Sequence, residues 1–250
     1  MCGIAGIFIP QQSEPQVSDL AAMANAMLHR GPDGDGQWVR SDKRYQTIFR
    51  RLAIIDLKSG DQPLVSSNGH LILSGNGEIY NYLELRSRYS NYHYKTQGDM
   101  EAVLAAYDAH GDDYLQVLNG MYALALYNDD THTLELVRDR LGIKPIYWAK
   151  LSGGGIVYGS EIKAIFASGL MHPEINERAV PTYLAHGYVP GPDTLFKNVQ
   201  KLQPGHRLCI DAAGQIDIKA YWRPQPSTEV PQGEDVAEHL LSLLHDSVSL

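Results

Sequence analysis

The sequence predicts an α+β fold, a mostly antiparallel β-sheet structure with its α-helices in separate blocks of chain. Two observations carry this. Short alternating runs face each other across compact turns, as MYALALYN (121–128) and TLELVRD (133–139) do around Asp129-Asp130-Thr131-His132. Helical spacing of apolar residues is confined to other stretches, notably 82–109 and 161–186.

Taken in order, residues 3–9 (GIAGIFI) read as a buried strand, so the N-terminus enters the core at once. A helix follows over about 18–29, with Ser18 as N-cap and Leu20, Met23, Ala24, Met27 and Leu28 at helical spacing. Residues 46–56 and 70–74 read as strands, the second running into the turn-prone Gly75-Asn76-Gly77. Helices are expected over about 82–89 and 99–109, the latter with Met100, Val103, Leu104 and Tyr107 on one face and Gly111 past its end. After the 121–139 hairpin, PIYWAKL and IVYGS flank Ser152-Gly153-Gly154-Gly155 as a second hairpin. Helices over about 161–168 and 176–186 are stopped by Gly169 and Gly187, and HRLCID with QIDIKAYW turns at Ala212-Ala213-Gly214.

The chain then changes character. RPQPSTEVPQGED has three prolines and no apolar period, which reads as a linker. A helical pattern restarts at Val236 with Leu240, Leu243, Leu244 and Val248 on one face. An apolar stripe with nothing after it to bury it favours the first helix of a further domain over a helix docking back on this one. The expected division is a domain over 1–225 and a linker with that first helix over 226–250.

Composition narrows the function classes. With 44% hydrophobic and 20% charged residues in 250, the chain has the makings of a sizeable core, and disorder is excluded. The 21 basic against 29 acidic residues give −8, which argues mildly against a nucleic-acid or anionic-membrane partner. No apolar stretch at the start is long enough to span a bilayer. Only two cysteines occur, Cys2 and Cys209, too few for a disulfide framework or a cysteine zinc site, and such usage fits a reducing cytoplasm.

One of those two thiols is the second residue. If Met1 is removed, Cys2 carries a thiol and a free α-amine together, with reference pKa values of about 8.5 and about 7.7–8.0, so the amine can take the thiol's proton. On residue type alone, a small buried cysteine at the start of a strand is the commoner case.

The surrounding words decide between the two. Met1-Cys2-Gly3-Ile4-Ala5-Gly6-Ile7-Phe8, His29-Arg30-Gly31-Pro32-Asp33, Arg51-Leu52-Ala53-Ile54-Ile55-Asp56, Asn76-Gly77-Glu78-Ile79-Tyr80-Asn81 and Gly98-Asp99-Met100-Glu101 occur in this order. The chain resembles the glutamine-hydrolysing domain of class II amidotransferases, which are N-terminal-nucleophile hydrolases, and among them the glutamine-dependent asparagine synthetases. RDRLGIKPIYW (138–148), YGSEIKAIF (158–166) and LQPGHRL (202–208) extend the resemblance over nearly the whole chain.

The resemblance implies an αββα sandwich of two antiparallel sheets between helical layers. It implies hydrolysis of L-glutamine through a thioester on Cys2, with ammonia passed to an ATP- and magnesium-dependent synthetase domain that amidates aspartate. It leaves room for a homodimer, and no cofactor is expected for the glutamine-hydrolysing part itself. Asn76 and the Gly77 N–H would stabilise the oxyanion, Arg51 the substrate carboxylate, and Asp99 with Glu78 its ammonium. Leu52, Ile54 and Ile55 would line the glutamine site, and Arg30, Gly31, Pro32 and Asp33 would position or close it. Each residue also has a plainer reading: Gly75-Asn76-Gly77 as a turn, Arg51 as a solvated strand face, Asp99 as a helix N-cap.

Other features are bland. Cys209 alternates within a strand and is expected in the core, His29 has a structural role, and Gly153-Gly154-Gly155 lacks phosphate-loop spacing. The histidines show no metal-ligand spacing. Two other readings stand beside the first: an amidotransferase of the same family with a sugar, peptide or antibiotic-precursor acceptor, and a catalytically silent glutamine-binding module.

Overall fold

A computed structural model describes residues 1–16, 18–226 and 236–249. Twelve strands form two six-stranded, wholly antiparallel sheets among the described residues. The first sheet contains β1 (Gly3–Phe8), β2 (Gly34–Val39), β3 (Tyr45–Arg51), β8 (Tyr147–Lys150), β9 (Ile156–Gly159) and β10 (Val199–Lys201), in the order β10-β8-β9-β1-β3-β2. The second contains β4 (Leu64–Val65), β5 (Leu71–Ile79), β6 (Gly120–Asn128), β7 (Thr133–Arg138), β11 (His206–Ile210) and β12 (Ile216–Ala220), in the order β12-β11-β7-β6-β5-β4.

The sheets stack face to face. Ile4, Phe8 and Phe49 of the first pack on Ile72, Ala125 and Leu136 of the second. Each such buried isoleucine, leucine or phenylalanine contributes about 1.5–3 kcal/mol. On the outer face of the first sheet lie α1 (Leu20–Ala26) and α4 (Ile162–Ala167), whose Met23 and Ile165 join Ile7 and Ile48. On the outer face of the second lie α2 (Tyr82–Arg88) and α3 (Glu101–His110), through Leu85 and Leu104. The result is the four-layer α+β sandwich expected from the sequence. One chain of polar groups between the sheets is paired: Tyr45 Oη with Tyr158 Oη (3.0 Å), Tyr158 Oη donating to Thr47 Oγ1 (3.0 Å), and Thr47 Oγ1 with Ser74 Oγ across the gap (3.1 Å).

Local differences from the expectation are instructive. α1 is capped by Asp19, whose Oδ1 accepts from Ala22 N at 2.8 Å, while Ser18 Oγ donates to Gln46. β3 ends at Arg51 rather than 56, because its partners end there: Gly34 lies opposite Arg51 and Gly3 opposite Arg50. β5 does not turn at Gly75-Asn76-Gly77; it runs on to Ile79, paired with β6 throughout. α3 starts at Glu101, so Asp99 is not its N-cap. α5 (Val180–His186) is preceded by a single 3-10 turn at Glu177–Ala179 and ends at Gly187 with φ 75°, the left-handed cap the sequence signalled. Short or edge strands β2, β4 and β10 escaped the pattern reading. Cys209 lies outside the core: Leu208 and Ile210 point inward, which turns Cys209 to the opposite face.

The linker expected after residue 225 falls mainly on 227–235, outside the described residues. α6 (Val236–Ser249) is a helix with exposed residues throughout. No described helix is long and apolar enough to cross a membrane.

Candidate active site

Where β1 begins, a cavity of about 50 Å³ opens between the ends of the two sheets. The first sheet and the loop after β3 supply Cys2, Arg51, Leu52, Ile54 and Ile55; β5 supplies Gly75, Gly77 and Glu78; the segment before α3 supplies Gly98, Asp99 and Met100. Stretches far apart in sequence meet because β1 and β5 belong to facing sheets, β5 lying next to the short edge strand β4.

Cys2 is half-buried. Its Sγ lies 3.6 Å from the Leu52 carbonyl and 3.4 Å from the Leu52 N–H, which donates to it. Burial pushes the thiol up and Glu78 adds to it, opposed by the Leu52 hydrogen bond, the N-terminal positive charge and Arg51. A thiol in this setting needs a base to become a nucleophile.

β5 provides the adjacent wall through its edge. Tyr80 N donates to Asn119 O at 2.8 Å, so even-numbered residues of β5 bond to β6 and odd-numbered ones turn their backbone groups to the other side. That side is covered by β4 only opposite Ile72 and Leu73. Beyond it, Gly75 N donates to Gln62 Oε1 (2.6 Å), Gly75 O accepts from Gln62 Nε2 (3.2 Å), and Ile79 N donates to Asp99 Oδ2 (2.8 Å). Gly77, between them, turns its edge groups into the cavity. A Cβ at Gly77 would lie 2.0 Å from the Met121 carbonyl oxygen, so only glycine fits. Asn76 does not line the cavity itself; its side chain leaves β5 on the inter-sheet face, with Ser74 and Ile72, the face on which Cys2 also packs. Asn76 is 1% exposed, and its Nδ2 is buried with no hydrogen-bond partner among the described residues.

The remaining walls are charged. Glu78 is half-buried, and burial, then the neighbouring Asp99, push its carboxyl to about 7 against the pull of Lys144. Burial also raises Asp99, opposed by backbone donors including Ile79. Two neighbouring buried carboxyls on one wall favour a cation beside them. Arg51, 8% exposed, gives Nη1 to Asp61 (2.8 Å) and Nη2 to the Asp56 carbonyl, and still lines the cavity.

Arg30 to Asp33 do not line the cavity; they stand behind it. Arg30 Nε donates to the Cys2 carbonyl (2.9 Å) and Nη1 to Glu161 (3.0 Å), while Asp33 Oδ2 accepts from Ala53 N (2.9 Å). Gly31 packs against the Arg50–Arg51 backbone, 2.5 Å from where its Cβ would stand. His29 pairs with Glu161 at 2.8 Å. Sequence reading missed Gln62, Gly60 and Thr96 as cavity residues. The only signal at 60–63 is that of a turn. Glu101, within a quoted motif but given no role, is buried and accepts from Thr96 N and Oγ1 at 2.7 Å, anchoring the segment that carries Asp99.

Comparison with known proteins places this geometry in context. Residues 1–222 match the family model described as a glutamine amidotransferase domain. Asparagine synthetase [glutamine-hydrolyzing] 1 of Bacillus subtilis (strain 168) is 32% identical over all of this chain and 40% of its own length. A putative asparagine synthetase [glutamine-hydrolyzing] of Mycobacterium tuberculosis is 35% identical over all of this chain and 42% of its own. The chain thus spans about 40% of the length of these relatives. Among solved structures, glutamine phosphoribosylpyrophosphate amidotransferase from B. subtilis superposes with a TM-score of 0.64 at 17% identity, over 89% of this chain and 50% of that one, a likeness of fold.

Proposed function

The chain belongs to the glutamine amidotransferase domain family, and from that premise we propose that it hydrolyses L-glutamine to glutamate and ammonia through a thioester on Cys2. The observation that carries this is the charge layout of one cavity: a thiol beside an open strand edge, a guanidinium on one wall and a carboxylate pair on another. That layout matches a free α-amino acid bearing a side-chain amide. Arg51 takes the α-carboxylate, and Glu78 with Asp99 takes the α-ammonium.

With Met1 removed, the Cys2 amine accepts the thiol proton and sulfur attacks the amide carbon, forming the C–S bond. The Gly77 N–H and the unpartnered Asn76 Nδ2 receive the oxyanion. The C–N bond then breaks as the amine's proton passes to nitrogen, and ammonia leaves. Water cleaves the thioester, giving glutamate and the free thiol. Arg30 to Asp33 serve as support behind the nucleophile.

The ammonia feeds, on this reading, an ATP- and magnesium-dependent synthetase region that converts aspartate to asparagine in the cytoplasm. The relatives' identity over all of this chain supports that product. The Gly153-Gly154-Gly155 run serves as a hairpin turn: Gly155 packs against the Phe8 carbonyl, where a Cβ would lie 2.0 Å away.

Mature chain given glutamine should release ammonia and glutamate in equal amounts, and a glutamine-shaped diazoketone should add its mass to Cys2. A folded sample lacking Met1 that does neither overturns the reading in favour of a silent binding module.

A further inference from the structure

Asp56 closes the RLAIID motif, yet it is not itself among the residues that line the cavity. Its contacts run in two directions. The backbone carbonyl accepts from Arg51 Nη2 and from Gly60 N (3.1 Å), with Gly60 so close that a Cβ would stand 2.8 Å from Arg51 Nη2. The carboxylate accepts from Ser59 N (2.9 Å), from Ser59 Oγ, and from Gln97 N at 2.8 Å, two residues before Asp99. The two segments lie side by side at Gly98, where a Cβ would stand in ordinary contact with Asp56 Cβ at 3.8 Å.

Arg51 ends a strand of the first sheet, whereas Asp99 is tied to β5 of the second through Ile79. One residue therefore spans the two halves of the sandwich at the cavity mouth. Its main chain orients the guanidinium while its side chain holds the peptide next to the Gly98-Asp99 pair. Its φ of 50° is a left-handed conformation in which the carbonyl and carboxylate serve different segments, and Asp and Asn are among the residues that tolerate it.

We infer that Asp56 is a positioning residue that sets the spacing between the carboxylate-binding Arg51 and the ammonium-binding Asp99, and thereby selects substrates carrying both charges on one carbon. This rests on the glutamine reading above. Burial pushes the Asp56 carboxyl up, but the hydrogen bonds from Ser59, Gln97 and Lys58 outweigh it and bring it down to about 2, so the brace stays ionised at any working pH.

Asp56→Asn tests it, since asparagine accepts the same backbone conformation and volume but turns one acceptor oxygen into a donor facing donors. KM for glutamine should rise about tenfold or more, with kcat within about twofold of the parent. Cys2 labelling by the glutamine-shaped diazoketone should slow by the same factor, and labelling by iodoacetamide, which carries neither charge, should not change. Ser59→Ala, which removes one donor to the carboxylate, should shift KM the same way by a smaller factor, and it stands in if Asp56→Asn does not fold. An unchanged KM in both variants, or equal slowing of the two labels, overturns the inference and leaves glutamine hydrolysis standing. Parent protein with neither hydrolysis nor preferential diazoketone labelling removes both.

Discussion

The two cysteines sit in settings that look alike and behave differently. Cys2 is half-buried near Glu78, and Cys209 is half-buried opposite Glu135 on β7; each glutamate is pushed to about 7, chiefly by its own burial. At Cys209, burial and then Glu135, with Asp112 and Asp217 adding to them, push the thiol to about 12 against Arg207 alone. At Cys2, burial and Glu78 also push the thiol up, but a backbone N–H at 3.4 Å, the N-terminal charge and Arg51 all pull against them. Proximity to a carboxyl does not make a thiol reactive; donors and positive charge aimed at sulfur do.

The largest expected effect breaks the comparison outright. Cys2→Ala should abolish ammonia release while glutamine still binds, and Cys209→Ala should leave turnover unchanged; steady-state ammonia assays of both variants check it. Equal losses would show that the environments were misjudged.

Next in size is Asn76→Ala, which deletes a buried side-chain donor that has no partner among the described residues. The expected loss is about 10²–10³ in kcat with little change in KM. A change confined to KM would place Asn76 in substrate binding alone.

The smallest effect sharpens the Glu78 half of the pairing. Because its carboxyl loses its proton near 7 and only the ionised form attracts an ammonium, KM for glutamine should fall as pH rises through 7. At pH 6 KM should be about tenfold above its alkaline plateau. Glu78→Gln should raise KM and remove this pH dependence, measured from pH 5.5 to 8.5. Persistence of the dependence in that variant would assign it to another group.

Much of this was legible in the chain. The hairpins, the helix blocks and their glycine stops follow from local spacing and turn chemistry, and Arg51, Glu78 and Asp99 stand in recognisable words. What stayed hidden is non-local. Asn76-Gly77 reads as a turn because its residue types favour one, yet nine residues of pairing with β6 hold it straight. The start of α3 shifts from residue 99 because the Asp99 carboxylate is claimed by the Ile79 N–H, twenty residues away in sequence. Gln62 reads as part of a loop, and its side chain is free to bond Gly75 because β4 begins only at Leu64.

That two-residue strand has a consequence for how the protein survives crowded company. An exposed strand edge invites another chain to add to it, the first step of domain exchange and aggregation. Here the edge left bare by β4 is guarded by the side chains of Gln62 and Asp99, so a lone amide can reach Gly77 while a second backbone finds its hydrogen-bonding positions already taken. The molecule keeps an unfinished sheet open to a small guest and shut to its own kind.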